Sequence, residues 1–192
     1  EGLVQLRNAT EVPIAGGEIN SSWLDFKTMI EKGCLDIYQP DAVMIGGTYA
    51  GGISVVYWLI QALDKYNAEH PEQKTKLKYC PHTWTTGLGF AAALQLVGIL
   101  PPEKRSLIEY PLDGHWNPSV WGRFIRGGFE RDAEGRIRIP EGPGLGIEID
   151  WKVVKRFGKR IYNGNKLSVG AFTLCDRGLQ QTMYLKDKKE EQ

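Results

Sequence analysis

Four short apolar runs, separated by segments with helical periodicity, occupy the first 110 residues of the 192-residue chain. This alternation constrains the fold more than any other feature of the sequence. Strands that alternate with helices are typical of parallel βα units, because a parallel pair needs a crossover connection. The runs that we predict as strands are residues 12–15, 35–38, 76–80 and 106–108.

The segments between these runs carry clear helix signals. Ser21 or Ser22 can cap the first helix, and Gly33 can end it. An Ala-rich segment at 87–98 predicts a buried helix that stops before two prolines. A third predicted helix has an apolar stripe at the spacing i, i+3, i+4, i+7, formed by Val56, Leu59, Ile60 and Leu63.

The pattern changes after residue 110. Residues 116–128 are rich in aromatic residues, Gly and Pro, and predict an ordered loop. Residues 136–140 and 146–149 alternate with period two and predict exposed strands, and 151–157 predict a short helix capped by Asp150. We therefore expect three regions: four βα units at 1–110, a loop and strand segment at 111–157, and an unassigned tail at 158–192.

Composition excludes several functional classes. Lys and Arg number 24 against 23 Asp and Glu, so a net charge of +1 gives no field that would attract nucleic acid or an anionic membrane. No apolar run reaches the ~18 residues of a membrane span. Cys34, Cys80 and Cys175 are too scattered for a disulfide framework or a metal knuckle, and predict reduced thiols in a cytoplasmic protein.

Each predicted strand is followed by an ionisable residue. These residues are Glu18, Asp41, His82 and Glu109. In a parallel α/β barrel, the C-terminal ends of the strands converge on the face where chemistry occurs. The sequence therefore predicts that the four side chains meet in one site. His115, a short distance after the fourth predicted strand, is a further candidate for substrate contact.

Five short motifs at these positions follow one another in a fixed order. They are Pro-Ile-Ala-Gly-Gly-Glu, Gln-Pro-Asp-Ala-Val-Met-Ile-Gly-Gly, Pro-His-Thr-Trp, Glu-Tyr-Pro and Pro-Gly-Leu-Gly-Ile-Glu-Ile-Asp. The series closely resembles the C-terminal half of the enolase superfamily, in its mandelate racemase and acid-sugar dehydratase branch. The resemblance extends from residue 1 to about residue 157. It implies an α/β fold: the C-terminal half of a modified TIM-type (β/α) barrel, with a C-terminal extension of short strands and a helix.

The resemblance implies a role for each strand-end residue. Glu18 matches the last of three carboxylates that hold an essential Mg²⁺, and His82 matches the general base that takes the proton α to the substrate carboxylate. Asp41 matches the partner that orients the imidazole of this base. Glu109 matches the residue that, as a protonated acid, hydrogen-bonds the substrate carboxylate. In this superfamily the reaction passes through an enediolate.

Other parts of the family pattern have no counterpart in this sequence. These parts are the capping domain, the Lys-containing motif and the other two metal carboxylates. The sequence also lacks an initiator Met, so we expect that an upstream segment was removed or never included. The missing half of the barrel would then lie in another chain or in a longer protein, or two copies would pair.

These observations lead to one main interpretation and two alternatives. The chain is interpreted as part of a Mg²⁺-dependent enzyme that acts on a small-molecule carboxylate, as an acid-sugar dehydratase or as a racemase or epimerase. Alternatively, it is an inactive scaffold subunit that needs a partner, the missing half or a second copy. Cycloisomerase or dipeptide-epimerase chemistry ranks lower, because those branches use a Lys base.

Overall fold

The structure, a computed structural model, describes residues 1–45, 52–105, 107–112 and 122–159, together with residues 120, 167, 171 and 174. The chain divides into two compact units, Glu1–Val153 and Val154–Gln192. In the second unit, the described residues include the last helical turn before Gly158, whose N–H donates to the carbonyl of Val154 at 2.7 Å.

The first unit begins with three βα units in sequence order. Strands β1, β2 and β3 form a parallel sheet in which Ala15 pairs with Ile37, and Ile37 with Lys78. A second, antiparallel pair joins β4 to β5. The strands are β1 Ala15–Gly16, β2 Ile37–Tyr38, β3 Lys78–Tyr79, β4 Ile125–Arg126 and β5 Glu148–Ile149.

Helices connect and follow the three parallel strands, as predicted, and one further helix precedes them. Ser22 caps α2 by accepting the N–H of Leu24 at 3.1 Å, and Gly33 follows that helix with φ +58°. Asp150 caps α5 by accepting the N–H of Lys152 at 2.8 Å. The helices are α1 Gly2–Ala9, α2 Trp23–Glu31, α3 Gly52–Glu69, α4 Gly87–Gly98 and α5 Trp151–Phe157, with a 3₁₀ turn at Pro102–Lys104.

The main core lies between the parallel sheet and its helices. The predicted stripe of α3 is buried there, with Val56 and Leu59 fully inaccessible, and α2 contributes Phe26. Full burial of such a side chain contributes about 1.5–3 kcal/mol. Helix α4 also reaches a second cluster, in which its Phe90 packs beside Phe129. Because α4 is buried on both sides, its Ala-rich composition suits the position.

The predicted fourth strand is not formed by its described residues. Residues 107–112 have no strand pairing, and Leu107 is 86% exposed. A side chain contacts the chain at the edge of β3. The Nδ2 of Asn67 donates to the carbonyl of Leu77 at 2.9 Å, and the N–H of Leu77 donates to Asn67 Oδ1 at 2.8 Å. A side chain thus occupies backbone groups that a fourth strand would use.

Other boundaries also differ from the sequence prediction. Helix α3 extends to Glu69, six residues beyond the predicted apolar stripe that ends at Leu63, and β4 lies inside the predicted 116–128 loop. The strand predicted at 136–140 is reduced to a single bridge between Ile137 and Arg131, because Asp132 binds Arg136 in a turn. Helix α1 has no predicted counterpart. None of the helices among the described residues has the length and apolar character needed to cross a bilayer.

Candidate active site

The ends of the three parallel strands bring three of the predicted site residues together. Glu18 follows β1, Asp41 follows β2 and His82 follows β3. Asp41 and His82 also form a parallel backbone bridge, which keeps the β2–β3 register three positions beyond the pair Tyr38 and Tyr79. Because this bridge fixes the two backbones side by side, their side chains leave the sheet at the same end.

Asp41 is buried and both of its carboxylate oxygens are engaged. Oδ1 accepts the N–H of Val43 at 2.7 Å and that of Met44 at 3.2 Å, in a turn directly after the strand. Oδ2 lies 3.1 Å from Nδ1 of His82. Only 3% of Asp41 is exposed, so the turn holds a buried carboxylate against the imidazole.

The contact with Asp41 assigns the tautomer of His82. An ionised carboxylate is an acceptor only, so Nδ1 must carry the hydrogen that joins the two residues. In the neutral ring, Nε2 is then left with the lone pair. The side chain of His82 is 16% exposed. A neutral His82 therefore presents a basic nitrogen away from Asp41, as a general base requires.

Glu18 lies on the other side of the imidazole. Its Oε2 is 3.7 Å from Nε2 of His82, and its side chain is 55% exposed. The chain reaches this position through Gly17, whose φ of +109° is one that residues with a Cβ rarely adopt. A Cβ on Gly17 would also lie 2.8 Å from the ring of Phe26. Glycine is required directly before Glu18.

Glu109 reaches the same end of the sheet without belonging to a strand. Gln39 Nε2 donates to Oε1 of Glu109 at 2.7 Å, and the N–H of Thr83 donates to Oε2 at 3.1 Å. The hydroxyl of Thr83 donates to the backbone carbonyl of Glu109 at 2.7 Å. Side chains and one backbone N–H thus replace the strand ladder in placing Glu109.

Cys80, between β3 and His82, faces an environment that suppresses its ionisation. Burial raises the pKa of the Cys80 thiol to about 11, and the negative charge of Glu109 acts in the same direction. The thiol therefore remains protonated at neutral pH. Cys34 and Cys80 are both free, and Cys175 lies outside the described residues.

The described residues do not by themselves fit a Mg²⁺ ion. Among them, no group of three or more His, Cys, Asp or Glu side chains is arranged to hold a metal. Glu18 supplies a single carboxylate, whereas Mg²⁺ requires near-octahedral coordination by oxygen and water ligands. No step of a reaction can therefore be derived through a metal from these residues.

The sequence predicts that four residues lie at one end of the sheet, and the structure brings them together there. They are Glu18, Asp41, His82 and Glu109. His115 lies outside the described residues. Gln39 and Thr83 were not predicted as site residues, although both lie in the motifs given above. Strand alternation could have predicted the position of Gln39. Side chains two positions apart along a strand share a face, so Gln39 is expected on the same face as Asp41.

The chain was compared with protein families and with characterised relatives. The model of the family described as "Enolase C-terminal domain-like" matches residues 1–56 and 72–153, more than half of the chain. D-galactarolactone cycloisomerase from Agrobacterium fabrum is 28% identical over 163 residues, which are 82% of this chain and 38% of that enzyme. D-galactonate dehydratase from Ralstonia pickettii is 30% identical over 156 residues, 80% of this chain and 37% of that enzyme.

Solved structures give the same assignment. The crystal structure of the 3,6-anhydro-D-galactonate cycloisomerase from Zobellia galactanivorans matches with a TM-score of 0.64 and 26% identity, and the match covers 83% of this chain and 39% of that one. The chain thus spans less than two fifths of the length of these relatives. The predicted fold class, the C-terminal half of a TIM-type (β/α) barrel, is confirmed. The chain belongs to the enolase C-terminal domain-like family.

Proposed function

We propose that this chain supplies the general base of an enzyme that removes the proton α to the carboxylate of a sugar-derived acid. The observation that carries the proposal is the 3.1 Å contact between Asp41 Oδ2 and His82 Nδ1 at the ends of adjacent strands. The names of the relatives support the substrate class, since they include a galactonate dehydratase and a galactarolactone cycloisomerase. Acid-sugar chemistry is thus the proposed function.

In the proposed reaction, His82 takes the α-proton on Nε2. The C–H electron pair moves into the substrate carboxylate and gives an enediolate, while His82 becomes an imidazolium beside the buried Asp41. That carboxylate accepts the hydrogen bond from Nδ1 of the charged ring. A dehydratase then expels the β-hydroxyl, which leaves as water with the proton that His82 has taken, whereas a racemase or epimerase returns a proton to the α-carbon. Glu109, when protonated, would donate a hydrogen bond to the substrate carboxylate.

The test is exchange of the substrate α-proton with solvent deuterium, measured by proton NMR on the full-length protein with a panel of acid sugars. We expect His82→Asn to slow exchange by about 10²–10⁴-fold, the usual contribution of a positioned base. His70→Asn is the matched control, because His70 stacks on Tyr66 at 4.0 Å at the end of α3. Exchange that is unaffected by His82→Asn would show that another group is the base.

Cycloisomerisation is a second candidate for the same proton transfer. Two of the relatives reported above are named cycloisomerases, although the Asp and His motifs favour dehydration or racemisation over this chemistry. The products discriminate between the candidates. A dehydratase releases one water per turnover and forms a keto acid, whereas a cycloisomerase forms a product with the mass of its substrate. Mass spectrometry of the product after complete conversion separates the two.

We further propose that activity requires groups beyond the described residues, in a longer chain or in a partner. The absence of a metal cluster among these residues supports this requirement, as does the partial coverage of the relatives. In this proposal Glu18 would be one ligand of a Mg²⁺ ion whose other ligands come from elsewhere.

Calorimetric titration of the 192-residue chain with Mg²⁺ tests this dependence. We expect no saturable binding at the concentrations at which the full-length protein is saturated. The alternative of a catalytically silent scaffold predicts that the full-length protein also fails to exchange the α-proton. Saturable, Glu18-dependent binding to the 192-residue chain would contradict the need for further ligands.

A further inference from the structure

The side chain of Gln39 connects two parts of the site that are distant in sequence. Gln39 lies directly after β2, where its backbone N–H donates to the carbonyl of Gly16 at 2.8 Å. Its side-chain amide donates to Oε1 of Glu109 at 2.7 Å, over a separation of 70 positions. Gln39 is therefore fixed to the sheet at its backbone and to Glu109 at its side chain.

The other carboxylate oxygen of Glu109 is held by the segment that carries His82. Thr83 is fully buried, and its N–H donates to Oε2 of Glu109 at 3.1 Å. The segment after β2 and the segment after β3 thus each contact one oxygen of the same carboxyl group. These two segments are also the ones that carry Asp41 and His82.

We propose that Gln39 is a positioning residue that fixes the carboxyl group of Glu109 relative to the Asp41–His82 pair. This inference rests on the proposed function. With Thr83 on one oxygen and Gln39 on the other, the plane of the carboxyl group is defined. Each oxygen keeps one lone-pair direction that its donor does not use. When Glu109 is protonated, its hydrogen can lie along that direction and be donated to a substrate carboxylate.

The amide is the chemical group that this position requires. Gln39 donates to Glu109 at any pH, whereas a carboxylate at position 39 would repel an ionised Glu109 at this distance. Two carboxyl groups so placed would share one proton, as like charges in close contact cannot both be ionised readily. A side chain without a donor would leave Oε1 of Glu109 unbound and the carboxyl group free to rotate.

The first experiment needs no activity. Urea midpoints are measured for the wild-type chain, Gln39→Leu, Glu109→Ala and the double variant. If the amide and the carboxyl group interact as described, the double variant shifts the midpoint by less than the sum of the single shifts. Additive shifts would overturn the proposal. This result does not depend on whether the protein catalyses α-proton exchange.

The second experiment measures kcat/KM of the full-length protein for α-proton exchange as a function of pH. We expect Gln39→Leu to lower kcat/KM about twofold to tenfold, as for loss of one hydrogen bond to an uncharged carboxyl group. The kcat/KM of Gln39→Glu should be reduced most at alkaline pH, where both carboxyl groups are ionised. As pH falls, one proton shared between the side chains at positions 39 and 109 restores a hydrogen bond, and kcat/KM relative to wild type should recover.

The matched control is Gln95→Leu. The side-chain amide of Gln95 donates to the carbonyls of Pro140 at 2.7 Å and Leu145 at 3.2 Å, outside the site. This variant should lower stability, but the ratio of its kcat/KM to that of the wild type should not change with pH. If the ratio of kcat/KM between Gln39→Glu and the wild type were also independent of pH, the positioning role would be refuted. Absence of exchange in the wild-type protein would refute the proposed function instead, and the urea cycle would then decide whether Gln39 holds Glu109.

Discussion

Asp41 and His82 are joined at two levels, through a parallel backbone bridge and through the 3.1 Å contact between Oδ2 and Nδ1. The bridge sets the distance between the two backbones, and the turn after Asp41 sets the direction of its carboxylate. The imidazole is thus oriented by the register of the sheet. A substitution that changes the chemistry of one side chain can therefore alter the state of the other while the fold stays intact.

Asp41→Asn is predicted to reverse the tautomer of His82. The amide oxygen can still accept the N–H groups of Val43 and Met44, so that the NH₂ group faces Nδ1 and converts it to an acceptor. The ring hydrogen then moves to Nε2, and the base loses its lone pair there. We expect α-proton exchange in the full-length protein to fall by about 10²–10⁴-fold. Asp25→Asn, in the first turn of α2, is the control; equal exchange rates in wild type and Asp41→Asn would contradict the assigned tautomer.

Gly17→Ala is predicted to destabilise the first βα unit. The positive φ of Gly17 and the 2.8 Å approach of a Cβ to Phe26 both oppose a side chain at this position. We expect a loss of about 1–3 kcal/mol in the free energy of unfolding, measured by urea denaturation. Gly16→Ala is a closely matched control, because its Cβ would meet Leu35 only at 3.6 Å. Similar losses in both variants would show that the conformation of Gly17 carries no special cost.

Asp36 is predicted to link stability to acid pH. Burial opposes its ionisation, but the hydrogen bonds from Thr75, from the N–H of Ile14 and from Arg7 outweigh this effect and lower the pKa of Asp36. Because the folded-state pKa lies below the unfolded value, the stabilisation is fully present above about pH 4 and is lost as pH falls through the folded-state pKa. Chemical denaturation at a series of pH values measures this loss.

Asp36→Asn tests this linkage directly. The variant leaves the half-buried Arg7 without the charge it contacts at 2.8 Å, so we expect a loss of about 1–3 kcal/mol at neutral pH. The acid-dependent loss should also become smaller than in the wild type. Asp132→Asn, at an exposed ion pair with Arg136, should have a much smaller effect. An unchanged acid profile in Asp36→Asn would refute the assignment.

Cys80 is predicted to resist alkylation at neutral pH. Since the thiolate is the reactive form, a thiol pKa of about 11 leaves little reactive sulfur below pH 9. Iodoacetamide labelling followed by peptide mass spectrometry should show a rate that rises steeply only in alkaline solution. Glu109→Gln removes a negative charge beside the thiol, so labelling of Cys80 should then begin at lower pH. Rapid labelling of the folded wild-type chain at pH 7 would contradict the burial of this thiol.

The regular parts of the fold and site were accessible from the sequence. The apolar stripe of α3 and the residues after each strand follow periodicities that are set locally, so Asp41 and His82 could be located. The placement of Glu109 was predicted for the wrong reason: no strand carries its described neighbours, and Gln39 and Thr83 hold it instead. Such contacts depend on residues far apart in the chain, and no local pattern encodes them.

Asn67 has a consequence for how a further strand can join this sheet. Its amide acts as a one-residue substitute for a neighbouring strand, with both a donor and an acceptor matched to Leu77. A strand that pairs at this edge must displace the amide, so the contact is an exchange of hydrogen bonds. Exposed edges are sites of uncontrolled association. The last turn of α3 therefore covers the backbone groups of Leu77 at the edge of β3.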